Sequence, residues 1–291
     1  MRHVLVTGAN KGIGLALVEA ILAEQVDTFV HLGARDRARG QRAADGLVAA
    51  HPGWRDRIAV VALDVADDAS VTAARAAVEA RLAGERLHGI VNNAGVGARS
   101  GGLDDVLQTN TLGIHRVCEA FRPLLAADGR IVNVTSASGP MFVAQCTPER
   151  QRFFLDPALT WPALRAFVDA CIASAGDDAA LARLGVGGGD AYGLSKACAN
   201  AYTAIVARES PGLAVNACTP GYIATDMTLP AGHDARSAAE LGMKTPADGA
   251  RAPMHLLFGK IEGSGRYYGS DAKRSPLDRY RAPGDPEYTE A

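Results

Sequence analysis

His3-Val4-Leu5-Val6-Thr7-Gly8-Ala9-Asn10-Lys11-Gly12-Ile13-Gly14 opens on a short apolar run suited to a buried strand and closes in a glycine-rich turn. Directly after it, Ile13, Leu15, Ala16, Leu17, Val18, Ala20 and Ile21 make a largely apolar helical stretch. Strand, tight turn and helix together form a dinucleotide-binding start. The glycines let the backbone approach a pyrophosphate, and the free amides and positive dipole end of the new helix attract it. Three glycines near a helix start are weak evidence alone, since an ordinary strand-to-helix turn also uses them; the flanking pattern gives them weight.

Beyond this unit, apolar runs at 3–6, 28–32, 58–63, 88–91, 130–134 and 213–218 alternate with helical stretches at 12–23, 37–50, 68–83, 103–126 and 190–209. Such alternation predicts an α/β fold: parallel strands with helices on both faces. A last short strand near Arg266-Tyr267-Tyr268 is expected at the sheet edge. With 291 residues, 48% of them apolar, the chain can bury a large undivided core. A net charge of −2 gives no field favouring nucleic acid, and no apolar run is long enough to span a bilayer. Cys118, Cys146, Cys171, Cys198 and Cys218 lack metal-like spacing, so no metal is expected. Their odd number and the lack of an export signal point to reduced thiols in the cytoplasm, acting as small core residues.

Tyr192-Gly193-Leu194-Ser195-Lys196 places a phenol and an ammonium on one helix face. A phenol with a pKa of about 10 is a poor proton donor near neutrality, and a neighbouring cation makes it more acidic. Beside a hydride source, the pair is an acid/base device.

Further segments stand in a fixed order. Asn92-Asn93-Ala94-Gly95 ends one strand-like run, Asn110 sits in a helical stretch, Asn133-Val134-Thr135-Ser136 ends another, and Pro220-Gly221-Tyr222-Ile223-Ala224-Thr225 follows Tyr192 and Lys196. With Thr7–Gly14, this ordered set resembles the short-chain dehydrogenase/reductase family across roughly residues 2–260. The resemblance implies a single-domain Rossmann-like, doubly wound parallel sheet over residues 1–269 and an irregular tail over 270–291, to which no function is assigned. It implies that Tyr192 donates a proton to a carbonyl oxygen, that Lys196 acidifies Tyr192 and holds the nicotinamide ribose, and that Ser136 stabilises the developing oxyanion. Asn110 would hold a water linking Lys196 to solvent. Ser138 is the rival of Ser136, and the family's asparagine-x-x-serine pattern selects Ser136.

For the cofactor, the resemblance assigns the phosphate loop to Gly8, Asn10, Lys11, Gly12, Ile13 and Gly14, and the adenine contact to Asp64 and Val65, although Asp64 reads equally well as a strand-end cap. Asn92, Ala94 and Gly95 would shape the backbone beside it. Pro220, Gly221, Ile223 and Thr225 would hold the nicotinamide carboxamide. At the end of the second strand the deciding position is Ala34, followed by Arg35, whose fork suits a 2′-phosphate, with Lys11 as a second charge. NADP(H) is therefore expected. The competing reading takes Asp36 as a ribose acid and predicts NAD, but Asp36 also precedes a helix as a cap would.

Between Ser136 and Tyr192 lies an insertion, about 140–185, longer than the short form of the fold needs. In it Trp161, Leu164, Phe167, Val168, Cys171, Ile172 and Ala175 are spaced as one apolar helical face. This feature, with Asn10–Ala16 and Asn216-Ala217-Cys218, resembles the carbonyl reductase branch of the family, whose inserted helix covers the subunit-pairing surface; a monomer is expected. A substrate lid is expected at about 226–246, with Met141, Phe142 and Tyr222 along the cleft. The expected activity is NADPH-dependent reduction of a ketone, aldehyde or quinone. Oxidation of an alcohol by the same residues and a non-catalytic nucleotide sensor are the alternatives.

Overall fold

The computed structural model describes residues 1–97, 101–186, 190–229 and 235–289. In chain order β1 (Arg2–Val6) leads into α1 (Gly12–Glu24), β2 (Thr28–Ala34) into α2 (Arg37–Ala50), and β3 (Ile58–Ala62) into α3 (Asp68–Leu82). After β4 (Leu87–Asn92) come α4 (Leu103–Leu107), a wide π-type turn (Gln108–Leu112) and α5 (Gly113–Phe121). β5 (Leu125–Val134) is followed by α6 (Ser138–Gln145), α7 (Pro148–Leu155), α8 (Trp161–Ala173), α9 (Asp178–Arg183) and the long α10 (Ala191–Glu209). The chain then passes through β6 (Ala214–Cys218), α11 (Ala235–Glu240), α12 (Pro246–Phe258) and β7 (Tyr267–Tyr268).

Among the described residues the strands form one seven-stranded sheet in the order β3-β2-β1-β4-β5-β6-β7, every neighbouring pair parallel. A parallel sheet is covered on both faces, so its strands are apolar throughout rather than alternating; Val4, Leu5 and Val6 are all fully buried. Leu17, Val18 and Ile21 of α1, Ala44 and Leu47 of α2, and Leu256 and Leu257 of α12 fill one face. Val71 and Val78 of α3, Val117 and Phe121 of α5, and Ala201 and Ile205 of α10 fill the other. The strand order reverses between β1 and β4, and at such a reversal the loops beyond the strand ends diverge and open a crevice.

The inserted segment is helical, as expected, but divided. α8 buries Leu164, Phe167, Val168 and Cys171 and packs against α10 and α4. At its start the Trp161 indole stacks on His115 of α5, with centroids 3.9 Å apart, and meets Tyr202 of α10 edge-on at 5.0 Å. Ala175 lies beyond the helix end. The helix expected over 103–126 is interrupted by the wide turn around Asn110 and stops near Pro123, which cannot continue it; residues 125–126 belong to β5. α12 was not expected, although a capping box of Thr245 and Asp248 opens it. β7 lies at the sheet edge as predicted.

Candidate active site

The crevice at the β1–β4 reversal is walled by the glycine loop. Gly8 has φ +62°, a conformation costly for other residues, and a Cβ there would sit 2.7 Å from Ala94 Cα. The loop is held by residues the sequence reading did not single out. Asn93 Nδ2 donates to the carbonyls of Thr7 (3.0 Å) and Gly8 (3.1 Å), while Thr7 Oγ1 accepts from the amides of Asn93 and Ala94, each at 3.0 Å. The Asn92 side chain points into the core, which leaves only its backbone to the crevice. Its Nδ2 donates to Asn133 Oδ1 at 2.8 Å, across the β4–β5 pairing. Strand alternation accounts for this orientation, since successive side chains leave opposite faces of the sheet.

α1 begins without a side-chain cap or an acidic residue in its first turn, whereas α2 and α3 are capped by Asp36 and Asp67. The first-turn amides of α1 thus retain unsatisfied donors aimed at the crevice, which fits a pyrophosphate. Asp36 accepts from the Arg39 amide at 3.0 Å, which identifies it as a helix cap. Arg35 is exposed and has no hydrogen bond or ion pair among the described residues. Lys11, expected to share an anion with it, pairs with Asp226 at 2.7 Å. Both side chains are well exposed, so the pair is weak enough to exchange. Asp64 Oδ1 accepts from the Ala66 amide at 3.0 Å, and the cap of α3 falls to Asp67 instead.

The acid/base pair lies at the start of α10, where Asp190 caps the helix by accepting from the Gly193 amide at 2.8 Å. The Ser136 hydroxyl lies near enough to the Tyr192 phenol to act on its pKa, and it donates to Ser138 Oγ at 3.3 Å. Ser138 donates its amide to Ser136 Oγ at 3.2 Å, so Ser138 holds the Ser136 hydroxyl in place. Lys196 is buried, with Nζ 5.5 Å from the Tyr192 ring centroid and donating to the Val134 carbonyl at 3.2 Å. Gly95 abuts it: a Cβ there would lie 3.6 Å from Nζ and 3.2 Å from Asn110 Oδ1. Burial pushes the Lys196 ammonium down to about 8, partly opposed by Cys218. Burial likewise pushes the Tyr192 phenol up, with the Ser136 hydroxyl lowering it and Asp190 raising it.

Asn110 sits in the wide turn, a feature frequent at functional sites. Its Oδ1 accepts from the Val96 amide (2.8 Å), and its Nδ2 donates to the Val96 carbonyl (2.9 Å) and Ser195 Oγ (3.1 Å). The side chain is thereby committed to binding the turn to α10. After β6, Tyr222 and Ala224 exchange backbone bonds with Lys244, Ile223 is buried, and Thr225 Cγ2 would lie 3.4 Å from a Cβ on Gly12. The segment thus crosses the glycine loop. Of the expected lid, residues 230–234 lie outside the described residues. Met141 and Tyr222 are exposed, but Phe142 is a core residue set edge-on to Phe154, because it faces inward from α6.

A family model described as short chain dehydrogenase matches residues 2–148. Carbonyl reductase (NADPH) 3 of Mus musculus is 33% identical over 274 residues, covering 88% of this chain and 91% of that protein. Carbonyl reductase (NADPH) 1 of Sus scrofa is 32% identical over 94% of this chain and 93% of its own length. Among solved structures, the salutaridine reductase of Papaver somniferum superposes with a TM-score of 0.76 at 25% identity, over 92% of this chain and 99% of that one. The NADPH-bound carbonyl reductase from chicken fatty liver gives 0.65 at 26% identity, over 94% and 98%.

Proposed function

The chain belongs to the short-chain dehydrogenase family, and on that premise we propose that it uses NADPH to reduce a ketone, aldehyde or quinone to an alcohol. The observation that carries this reading is the Ser136–Tyr192 hydroxyl pair with buried Lys196 beneath it, in the crevice opened beside an uncapped α1. Gly8, Asn10, Gly12, Ile13 and Gly14 would hold the pyrophosphate, with Arg35 and Lys11 taking the 2′-phosphate. Asp64 and Val65 would meet the adenine, with Ala94 and Gly95 lining the approach. Pro220, Gly221, Ile223 and Thr225 would orient the carboxamide. When bound, a reduced nicotinamide supplies the hydride that the carbonyl carbon receives.

The rest of the chemistry belongs to the protein. Tyr192 gives its proton to the carbonyl oxygen, and Ser136 donates a hydrogen bond to the charge developing there. The Lys196 cation stabilises the phenolate left behind. Asn110 holds the turn that keeps α10 in place. The same reading takes the molecule as a cytoplasmic monomer, with an irregular tail following a domain of residues 1–269. Its supports are α8 covering the α4–α10 face and five buried cysteines, as small core residues would be. Among the described residues no helix is long and apolar enough to cross a membrane.

The test is NADPH consumption against a panel of carbonyl compounds. Tyr192→Phe is expected to lower kcat by about 10²- to 10⁴-fold while NADPH still binds; consumption that survives the substitution removes Tyr192 from its role. Arg35→Ala is expected to weaken NADPH about tenfold or more relative to NADH, through loss of a charge-assisted contact. A coenzyme preference that does not move would overturn the phosphate argument.

A further inference from the structure

The chain beyond β7 has little regular structure, yet it is held in place. Ser275 donates its amide to the Tyr267 carbonyl at 2.8 Å, and Gly269 donates to the Lys273 carbonyl at 2.8 Å, closing a loop back on the edge strand. The Arg281 side chain is only 6% exposed and pairs with Asp271, itself 19% exposed. Three further donors are also used: Nε bonds Ser275 Oγ at 2.9 Å, and Nη1 bonds the carbonyls of Ala282 (3.1 Å) and Asp285 (2.9 Å). An arginine this buried, with four of its five N–H donors bonded, is a fastening, because removing either partner leaves an uncompensated charge.

What it fastens is the turn after β6. Gly221 has φ +95°, and the space a Cβ would take there is filled by Ser270, whose Cβ would lie 3.2 Å away. Thr219 joins the same corner: its amide donates to the Tyr268 carbonyl at 3.0 Å, and its Oγ1 accepts from the Gly221 amide at 3.2 Å. Ser270 directly precedes Asp271, so the ion pair sets how firmly Ser270 is seated on Gly221. The Tyr267 phenol, buried beside this corner, is pushed up first by burial and then by Cys218, with Tyr280 and Tyr192 adding to the effect, so it lies within electrostatic range of both the tail and the catalytic phenol.

We propose that residues 269–281 are a built part of the catalytic centre, with Arg281 a positioning residue that, through Asp271, clamps Ser270 against Gly221 and so fixes the segment Gly221–Thr225. This rests on the reading above, in which that segment orients the nicotinamide.

The experiment compares wild type with Arg281→Ala, Arg281→Lys and the milder Asp271→Asn in the full-length protein. It reads NADPH affinity by fluorescence titration, kcat and KM for one carbonyl substrate, and melting temperature. Arg281→Ala is expected to weaken NADPH and lower kcat by about ten- to a hundredfold, since small misplacements of reacting groups cost that much. Arg281→Lys, which restores charge but not the fork, is expected to recover part of both. Asp271→Asn is expected to shift them in the same direction with a smaller loss of melting temperature, which keeps the test valid if Arg281→Ala folds poorly. Variants that melt earlier yet keep wild-type NADPH affinity and kcat would reduce the clamp to a stability element and overturn the proposal. Wild-type protein that binds no NADPH would instead overturn the underlying reading, and the clamp's role with it.

Discussion

Tyr192 and Lys196 were legible as a pair from their spacing alone, but their protonation behaviour comes from the environment. Desolvation disfavours charge on both, lifting the phenol and lowering the ammonium to about 8. Because the Lys196 value lies below its ordinary one, its charge is present below pH 8 and is lost as pH rises through that value. The raised phenol keeps its proton over the same range. Carbonyl reduction is therefore expected to hold level toward neutrality and to fall above about pH 8. A pH profile of kcat/KM that stays flat to pH 10 would contradict this assignment. The neighbouring residues were less legible. Asn92 and Asn93 are adjacent asparagines, and no local pattern told which of them turns into the core and which holds the glycine loop. That depended on which face of the sheet each side chain leaves.

At the scale of elements, helix starts divide by what satisfies their first amides. Side chains cap α2, α3, α7, α9, α10 and α12, while α1, α6 and α8 start without one, and of these α1 follows the glycine loop at the crevice. Asp36 belongs to the first group, which sets it apart from a ribose-binding acid. Asp36→Ala is accordingly expected to lower the melting temperature modestly and to leave the NADPH-to-NADH ratio of kcat/KM unchanged. A marked shift in that ratio would restore Asp36 to the cofactor site. The apolar face of α8 was visible as a threes-and-fours repeat, and it is buried as such a face must be. The interruption of the helix at Asn110 was not visible. A wide turn has no sequence periodicity of its own, and here it is stabilised by bonds to Val96 and Ser195 from elsewhere in the chain.

For the molecule as a whole, the two buried layers leave polar groups inside the sheet that titrate on acidification. His31 is fully buried and bonds His3 at 3.1 Å, and burial, reinforced by the charges of His3 and Arg81, depresses its pKa to about 3. Because the folded value lies below the unfolded one, its contribution is complete above about pH 6.5 and is lost as pH falls toward 3. His31 alone is expected to cost about 2 kcal/mol between pH 7 and pH 5, and His115, lowered to about 4, adds in the same direction. Urea midpoints at the two pH values check this, with a shallower dependence expected for His31→Gln; equal midpoints would exclude the buried histidines as the source of acid sensitivity.

The sequence by itself determined the alternation of strands and helices, the glycine turn, the tyrosine–lysine spacing and the inserted apolar face. Each is a pattern written within a few consecutive residues by helix and strand periodicity. Only the tertiary structure decided that Asn93 and Thr7 grip the glycine loop, that Ser138 supports Ser136, that Phe142 turns inward, and that Ser270 is seated on Gly221. Those contacts join positions far apart in the chain, and they exist only once the sheet has closed and burial has chosen which side chains face one another.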